Sequence, residues 1–286
     1  MMRPVTPRFV LFATGPALVV GAAVMLASGA PWWYPAVNAA AWLLGLSLLA
    51  LPRSTHRFAN EHLADFALVA VVLMSFALLD PGIDGVHRWV MLGPLRVHPS
   101  AVLTPLIVLG MAGAVTRGRT ALALGLLASV QGLHIVQPDA AQASSVALAA
   151  LIVAVASPGV GRALRFGLGL LAVVSCAIAW QRPDPLPPAP FVENSLSLAW
   201  ALGWPMGAGA VLSLSLPSLV PWGQAWRGRA DAVSAVALGA SIAVSSLAVA
   251  LGNFPVPFLG YGGSPVLGVT VGLVALGWKA SAEEPG

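Results

Sequence analysis

Charged residues are scarce in this chain: 8% of its 286 residues are Asp, Glu, Lys or Arg, whereas 58% are hydrophobic. Soluble globular domains carry about 25% charged residues, because their surfaces face water. The scarcity therefore excludes an ordinary soluble protein. The formal net charge is only +4, and membrane topology explains that excess more simply than nucleic-acid binding does.

Cysteine is almost absent as well, and so are the common catalytic strings. The single Cys176 lies in an apolar run, which excludes an internal disulfide framework and is typical of a small packing side chain. Walker, Rossmann, zincin and nucleophile-elbow strings do not occur. The sequence thus gives no motif for nucleotide binding, zinc proteolysis or serine hydrolysis.

In place of charge, the chain has about ten apolar runs, each near the length that crosses a bilayer. Hydrocarbon offers the backbone no hydrogen-bond partner, so each run must form a helix. We predict an all-α polytopic membrane protein with about ten transmembrane helices and a single transmembrane domain, 1–286, without a soluble domain. The predicted spans are 9–30, 36–52, 63–80, 100–116, 120–136, 140–157, 162–180, 196–219, 231–251 and 263–279.

The basic residues predict the orientation of this bundle. With ten spans, eleven of the fourteen basic residues fall on one side, and cytoplasmic loops carry such an excess. We therefore predict that both termini lie in the cytoplasm. The eleven are Arg3, Arg8, Arg53, Arg57, Arg117, Arg119, Arg162, Arg165, Arg227, Arg229 and Lys279. On the opposite, outer side are Arg88, Arg96 and Arg182.

Polar residues that could perform chemistry gather in the loops of that outer side. Half of the ten acidic residues lie there, although the topology rule gives acids little reason to choose a side. We take Glu193 as the candidate catalytic base. The candidate substrate-binding residues are Arg88, Trp89, Arg96, Gln137, Asp139, Tyr261, Gly262 and Gly263.

Each candidate also has a structural explanation. Arg88 and Arg96 suit a pyrophosphate, but arginines beside Trp89 are equally typical of a segment lying in the membrane interface. Glu193 could act as a base or only cap the helix that follows. Asp139 could cap the next helix or contact a headgroup or metal.

The two glycines of the last outer loop also have both a functional and a structural explanation. Gly262 and Gly263 could present backbone amides to a phosphate at the start of the last span. They could also let helices approach closely or turn tightly.

Three strings in these loops resemble one known family. They are G-V-H-R-W-V-M-L-G-P-L-R-V-H-P-S at 85–100, Q-P-D at 137–139 and P-V-P-F-L-G-Y-G-G-S at 255–264. They are similar, in order and position, to signature loops of the SEDS proteins, the FtsW/RodA/SpoVE family. In the first string the matching residues are Arg88, Trp89, Leu92, Gly93, Pro94, Pro99 and Ser100.

The resemblance implies a glycosyltransferase that polymerises lipid II into peptidoglycan at the outer face of the bacterial cytoplasmic (inner) membrane. Such proteins serve cell division or cell shape and commonly work with a class B penicillin-binding protein. An acidic residue after span seven is the family's base. The departing undecaprenyl pyrophosphate needs cationic or metal support. The sequence itself identifies no cofactor, and a divalent metal ion stays open.

The chain departs from the family at the expected catalytic loop. The connection from Gln181 to Ser195 is short and holds five prolines, and the family's H-T-D-F string is missing. Glu193 is the nearest acid, and His98, Ala101 and Gln142 replace the family's Gln, Glu and Thr. Three functions therefore stay open: an active polymerase, an inactive relative that binds precursor or scaffolds cell-wall synthesis, and a lipid transporter or flippase.

Overall fold

The computed structural model describes residues 7–93, 95–228 and 231–282. Arg3, Pro94 and Arg229, which entered the sequence argument, lie outside the described residues. The helices are α1 Pro7–Ala27, α2 Trp33–Ser47, α3 Arg53–Glu61, α4 Leu63–Ser75, α5 Pro99–Thr116, α6 Thr120–Val136, α7 Ala140–Ala156, α8 Arg162–Gln181, α9 Ser195–Ala201, α10 Trp204–Trp226, α11 Ala232–Leu247 and α12 Gly263–Ala282. Short 3₁₀ turns extend α2, α4 and α11, and β1 Val90–Leu92 pairs antiparallel with β2 Leu95–Val97.

Ten long helices of the described residues correspond to the ten predicted spans. By length and composition, five can each cross a membrane alone, and the pair α3 and α4, bent by 75°, makes a sixth candidate. Shorter apolar helices are α6, α7 and the apolar part of α12, and α10 has 23 residues. The prediction of an all-α, multi-pass membrane protein is confirmed.

The eighth predicted span, 196–219, is wrong in its boundaries. The structure has the short helix α9, a break at Leu202 and Gly203, and then α10 from Trp204 to Trp226. Gly203 has a φ of +118°, a backbone conformation that L side chains rarely adopt, and Pro205 follows in the first turn of α10. The long helix therefore starts after this break and continues beyond 219.

Helix α5 forms the centre of the bundle and is buried along most of its length. It packs against α4, α6, α7, α11 and α12. Small residues make the close approaches: a Cβ on Gly110 would lie 2.3 Å from Ala67 Cβ and 2.8 Å from Leu63 O. Such small-residue seams are how helices associate in membranes, where no hydrophobic force drives them together.

Gly110→Leu should therefore separate α5 from α4. We expect a loss of about 1–3 kcal/mol in the free energy of unfolding, seen as a lower thermal midpoint in detergent. Gly125→Ala on α6 is the matched control, because nothing lies within 4 Å of its added Cβ. Equal midpoints for the two variants would contradict this packing.

Four connecting segments meet at one end of the bundle: 80–98, 137–139, 182–194 and 251–262. The amide N–H of Tyr261 donates to Phe191 O at 2.6 Å, and Arg88 bonds to both Gln137 and Asp184. We call this the cavity end. The opposite end carries ion pairs between Arg119 and Asp65 and between Lys279 and Asp231.

Candidate functional site

The four segments of the cavity end enclose a cavity of about 290 Å³. Its walls are mainly apolar, with a small set of convergent polar groups, an arrangement typical of ligand sites. Five of the nine predicted site residues line it. They are Arg88, Trp89, Arg96, Asp139 and Glu193, and the structure adds His98, Asp184 and Asn253.

Arg88 joins three of the four segments. Its buried guanidinium donates from Nε to Gln137 O at 2.9 Å and from one terminal nitrogen to Pro138 O and to Asp184 Oδ2, the latter at 2.7 Å. Arginine suits this place because its planar fork offers five donors in fixed directions. Arg88 therefore holds three segments of the cavity end together. Its expected binding of a lipid headgroup stays a prediction.

Asp139 has two partners. Its Oδ1 accepts from Gln142 N at 3.2 Å, so the predicted N-cap of the helix that follows is confirmed, and its Oδ2 lies 3.0 Å from His98 Nε2. Burial by itself raises the pKa of Asp139, but the hydrogen bond from His98 and the charges of His98 and Arg88 outweigh it. The pKa of Asp139 lies below its usual range, so the carboxylate is ionised.

Arg96 is the free cation of the cavity. It lies on β2 and is exposed, and its guanidinium has no hydrogen-bond or ion-pair partner among residues 7–93, 95–228 and 231–282. Trp89 lies beside this hairpin, with its ring centroid 5.9 Å from that of His98. An anionic ligand in the cavity would find the guanidinium of Arg96 unpaired.

Glu193 is partly buried, just before α9. Its Oε2 accepts from Ala189 N at 2.7 Å, whereas α9 begins with Asn194 as N-cap and has no side-chain cap. The helix-capping alternative is therefore wrong. Burial raises the pKa of the Glu193 carboxyl, and the negative charge of Asp184 adds to this.

Gln137 does not line the cavity. Its side chain is buried and donates from Nε2 to Met74 O at 3.3 Å, while its backbone carbonyl accepts from Arg88. Its Oε1 has no partner among the described residues. Gln137 thus supports the loop that carries Asp139, and its role in substrate binding stays a prediction.

Tyr261, Gly262 and Gly263 also lie away from the cavity. Tyr261 stacks on Tyr34 with 4.0 Å between ring centroids, and Gly262 N donates to Asn38 Oδ1 at 3.0 Å. Gly263 begins α12 in contact with α2. These contacts favour the packing alternative, because the Gly262 amide is already used, and a substrate role for the three residues stays a prediction.

His98 and Asp184 are the cavity residues that sequence reasoning missed. Each completes an ion pair with a predicted residue, His98 with Asp139 and Asp184 with Arg88. Two signals pointed at them: His98 replaces the Gln of the family string, and Asp184 lies between two prolines. Neither signal indicates that His98 pairs with Asp139 or that Asp184 pairs with Arg88.

The described residues give no fitted metal site. They contain no group of three or more His, Cys, Asp or Glu side chains that could hold a metal ion. In the cavity, Asp139 and Asp184 are already engaged with His98 and Arg88. No chemical step below is routed through a metal ion.

Fold and site together define a class: a multi-pass helical membrane protein with a mainly apolar cavity at one end that holds a few charged groups. No family model matches the chain, and no curated protein does. Solved structures do match. The rod shape determining protein RodA of Thermus thermophilus is 21% identical, covers 96% of this chain and 97% of its own, and gives a TM-score of 0.64.

Two further structures agree with this match. An aspartate-to-alanine variant of the same RodA is 23% identical, with 96% and 98% coverage and a TM-score of 0.65. A chain from a peptidoglycan synthase complex that coordinates polymerization and crosslinking is 20% identical, with 96% and 98% coverage and a TM-score of 0.66. The chain has the fold of RodA, and the resemblance to SEDS proteins is confirmed at the level of the fold.

Proposed function

We propose that this protein is a SEDS-type glycosyltransferase that polymerises lipid II into peptidoglycan glycan strands. One observation carries the proposal: a carboxyl group with a raised pKa, Glu193, and an unpaired cation, Arg96, line one cavity in a RodA-like fold. Glycosyl transfer from a pyrophosphate needs a proton acceptor and positive charge near the leaving group. Both lie in this cavity.

In the proposed reaction Glu193 takes the proton of the attacking sugar hydroxyl. The oxygen forms a bond to the anomeric carbon of the second lipid II, and the bond from that carbon to the pyrophosphate breaks. Arg96 faces the negative charge that develops on the pyrophosphate, and its planar guanidinium is well shaped for phosphate oxygens.

The distribution of charge supports an outward-facing cavity in the bacterial cytoplasmic membrane. Of the twelve described basic residues, nine belong to the opposite end, and Arg88, Arg96 and Arg182 to the cavity end. The excess of Lys and Arg belongs in the cytoplasm. We therefore place both termini in the cytoplasm and the cavity outside, where lipid II is polymerised.

A class B penicillin-binding protein is the proposed partner. The support is the likeness to a chain from a peptidoglycan synthase complex that couples polymerization to crosslinking. The likeness to a rod shape determining protein favours a role in cell shape over one in division.

Reconstitution tests the proposed activity. Purified protein in liposomes with labelled lipid II, with and without the cognate transpeptidase, should yield a ladder of glycan strands on a gel. Absence of polymer both with and without the transpeptidase would contradict the proposed activity.

The raised pKa of Glu193 predicts that the polymerisation rate falls at acidic pH. A base must be ionised to act, so the polymerisation rate should fall as pH decreases through a midpoint above the ordinary carboxyl value of about 4.3. Initial rates at saturating lipid II across this range measure it. A midpoint at or below the ordinary value would contradict the burial of Glu193, provided that lipid II binding is unchanged with pH.

A non-catalytic role is the second candidate, favoured by the shortened segment 182–194. Arg88 and Asp139 are bound within the protein, so the cavity could hold a lipid-linked precursor without turning it over. Lipid II binding without polymer, together with rescue of a deletion strain by Glu193→Ala, would favour this candidate over the enzyme.

A further inference from the structure

We propose that His98, held by Asp139, is a second catalytic residue, which donates a proton to the departing pyrophosphate. The inference rests on the glycosyl transfer proposed above and supplies the group for its other half: Glu193 serves the attacking hydroxyl, and His98 serves the leaving group.

The backbone and the ring of His98 are each held by a hydrogen bond. Its backbone N–H donates to Ser264 Oγ at 3.0 Å, next to the start of α12, and its Nε2 lies 3.0 Å from Asp139 Oδ2 at the start of α7. The side chain is only 12% exposed and lines the cavity. The ring is thus oriented before any substrate binds, as a proton-transfer group must be.

The partner of Nε2 decides which ring nitrogen can serve a substrate. Asp139 is ionised, and an ionised carboxylate only accepts hydrogen bonds, so Nε2 carries a hydrogen. The nitrogen left to exchange a proton is Nδ1. Among the described residues, no hydrogen-bond partner occupies Nδ1.

The groups beside the ring are two carboxylates, Asp139 and Asp184, and one guanidinium, Arg88, joined in two ion pairs. Four parts of the chain contribute the titratable and charged groups that surround His98. They are Asp139 before α7, His134 on α6, Arg88 and Arg96 around the hairpin, and Asp184 and Glu193 in segment 182–194.

The step balances with water as the only further reactant. The bond from the anomeric carbon to the phosphate oxygen breaks with its electron pair on that oxygen, which takes the proton from His98 Nδ1. The acceptor hydroxyl forms the new carbon–oxygen bond and gives its proton to Glu193. After release, Glu193 returns its proton to water, and His98 regains one from water.

His98→Gln tests the proposal. Glutamine can keep a hydrogen bond to Asp139 but has no proton to give, and it is the residue of the family string. We expect kcat for lipid II polymerisation to fall about 100-fold with KM within about twofold. His87→Gln is the matched control, since His87 bonds to Asp80 O at 2.8 Å and does not line the cavity.

A second variant tests the proposal even if His98→Gln does not fold. In His98→Ala, added imidazole should restore at least about tenfold of the lost rate, because it supplies the missing proton donor. If His98→Gln is folded and keeps the wild-type kcat, or if imidazole restores nothing, the role of His98 is overturned while the proposed function stands. If the wild type makes no polymer, the proposed function and this inference fall together.

Discussion

Glu193→Gln is expected to lower the rate of glycan polymerisation at least about 100-fold, the typical worth of a general base. The amide keeps the size of the carboxyl group but cannot take a proton. The carboxyl of Glu193 accepts a hydrogen bond from Ala189 N, which the amide oxygen of glutamine can also accept, so the fold should be unaffected. Initial rates on labelled lipid II, with the thermal midpoint measured in parallel, check both expectations.

Asp84→Asn is the control for this change. Asp84 is an exposed acid of another segment of the cavity end, away from the cavity, and its φ of +48° suits asparagine at least as well. Its polymerisation rate should match the wild type. A Glu193→Gln variant as active as Asp84→Asn would remove Glu193 from the reaction and leave the non-catalytic role as the better account.

Arg88→Met is expected to unfold the cavity end. The substitution leaves Asp184 without its counter-ion and the carbonyls of Gln137 and Pro138 without their donor. Removing one partner of a buried pair costs about 3–5 kcal/mol, which corresponds to a fall in thermal midpoint on the order of 10 °C. Arg88→Lys should recover only part of the loss, because lysine restores the charge without the fork.

Arg96→Met is expected to weaken lipid II binding without lowering the stability of the protein. Arg96 is exposed and unpaired among the described residues, so its loss should change the free energy of unfolding by no more than about 0.5 kcal/mol. We expect this variant to bind lipid II more weakly than the wild type, as measured by titration. An Arg88→Met variant as stable as Arg96→Met would contradict the bonding role of Arg88.

The ten long helices could be predicted because hydrocarbon forces each apolar run into a helix. The short helices α3 and α9 were not predicted. The start of α10 could not be predicted, since an apolar run continues through Gly203 and only its positive φ breaks the helix. The short strands β1 and β2 could not be predicted either, because their sequence is typical of a segment that lies in the membrane interface.

Five of the residues that line the cavity were predicted from the sequence, but their ion-pair partners were not. Arg88, Asp139 and Glu193 stand out because polar residues are rare in this chain. Arg88 lies 96 residues from Asp184, and His98 lies 41 residues from Asp139, so their pairing depends on which helix ends the bundle brings together. Tyr261 and Gly262 belong to a string that resembles the family, yet the bundle places them against α2, and their role in substrate binding stays a prediction.

The account depends on segments 80–98 and 182–194 sharing one cavity outside the cell. Single cysteines introduced by Arg96→Cys and Glu193→Cys in a Cys176→Ser background measure this directly, with a membrane-impermeant maleimide added to intact cells. We predict labelling at both positions, and none at Arg162→Cys on the opposite end until the cells are opened. Labelling of Arg96→Cys and Glu193→Cys from opposite sides of the membrane would contradict the account.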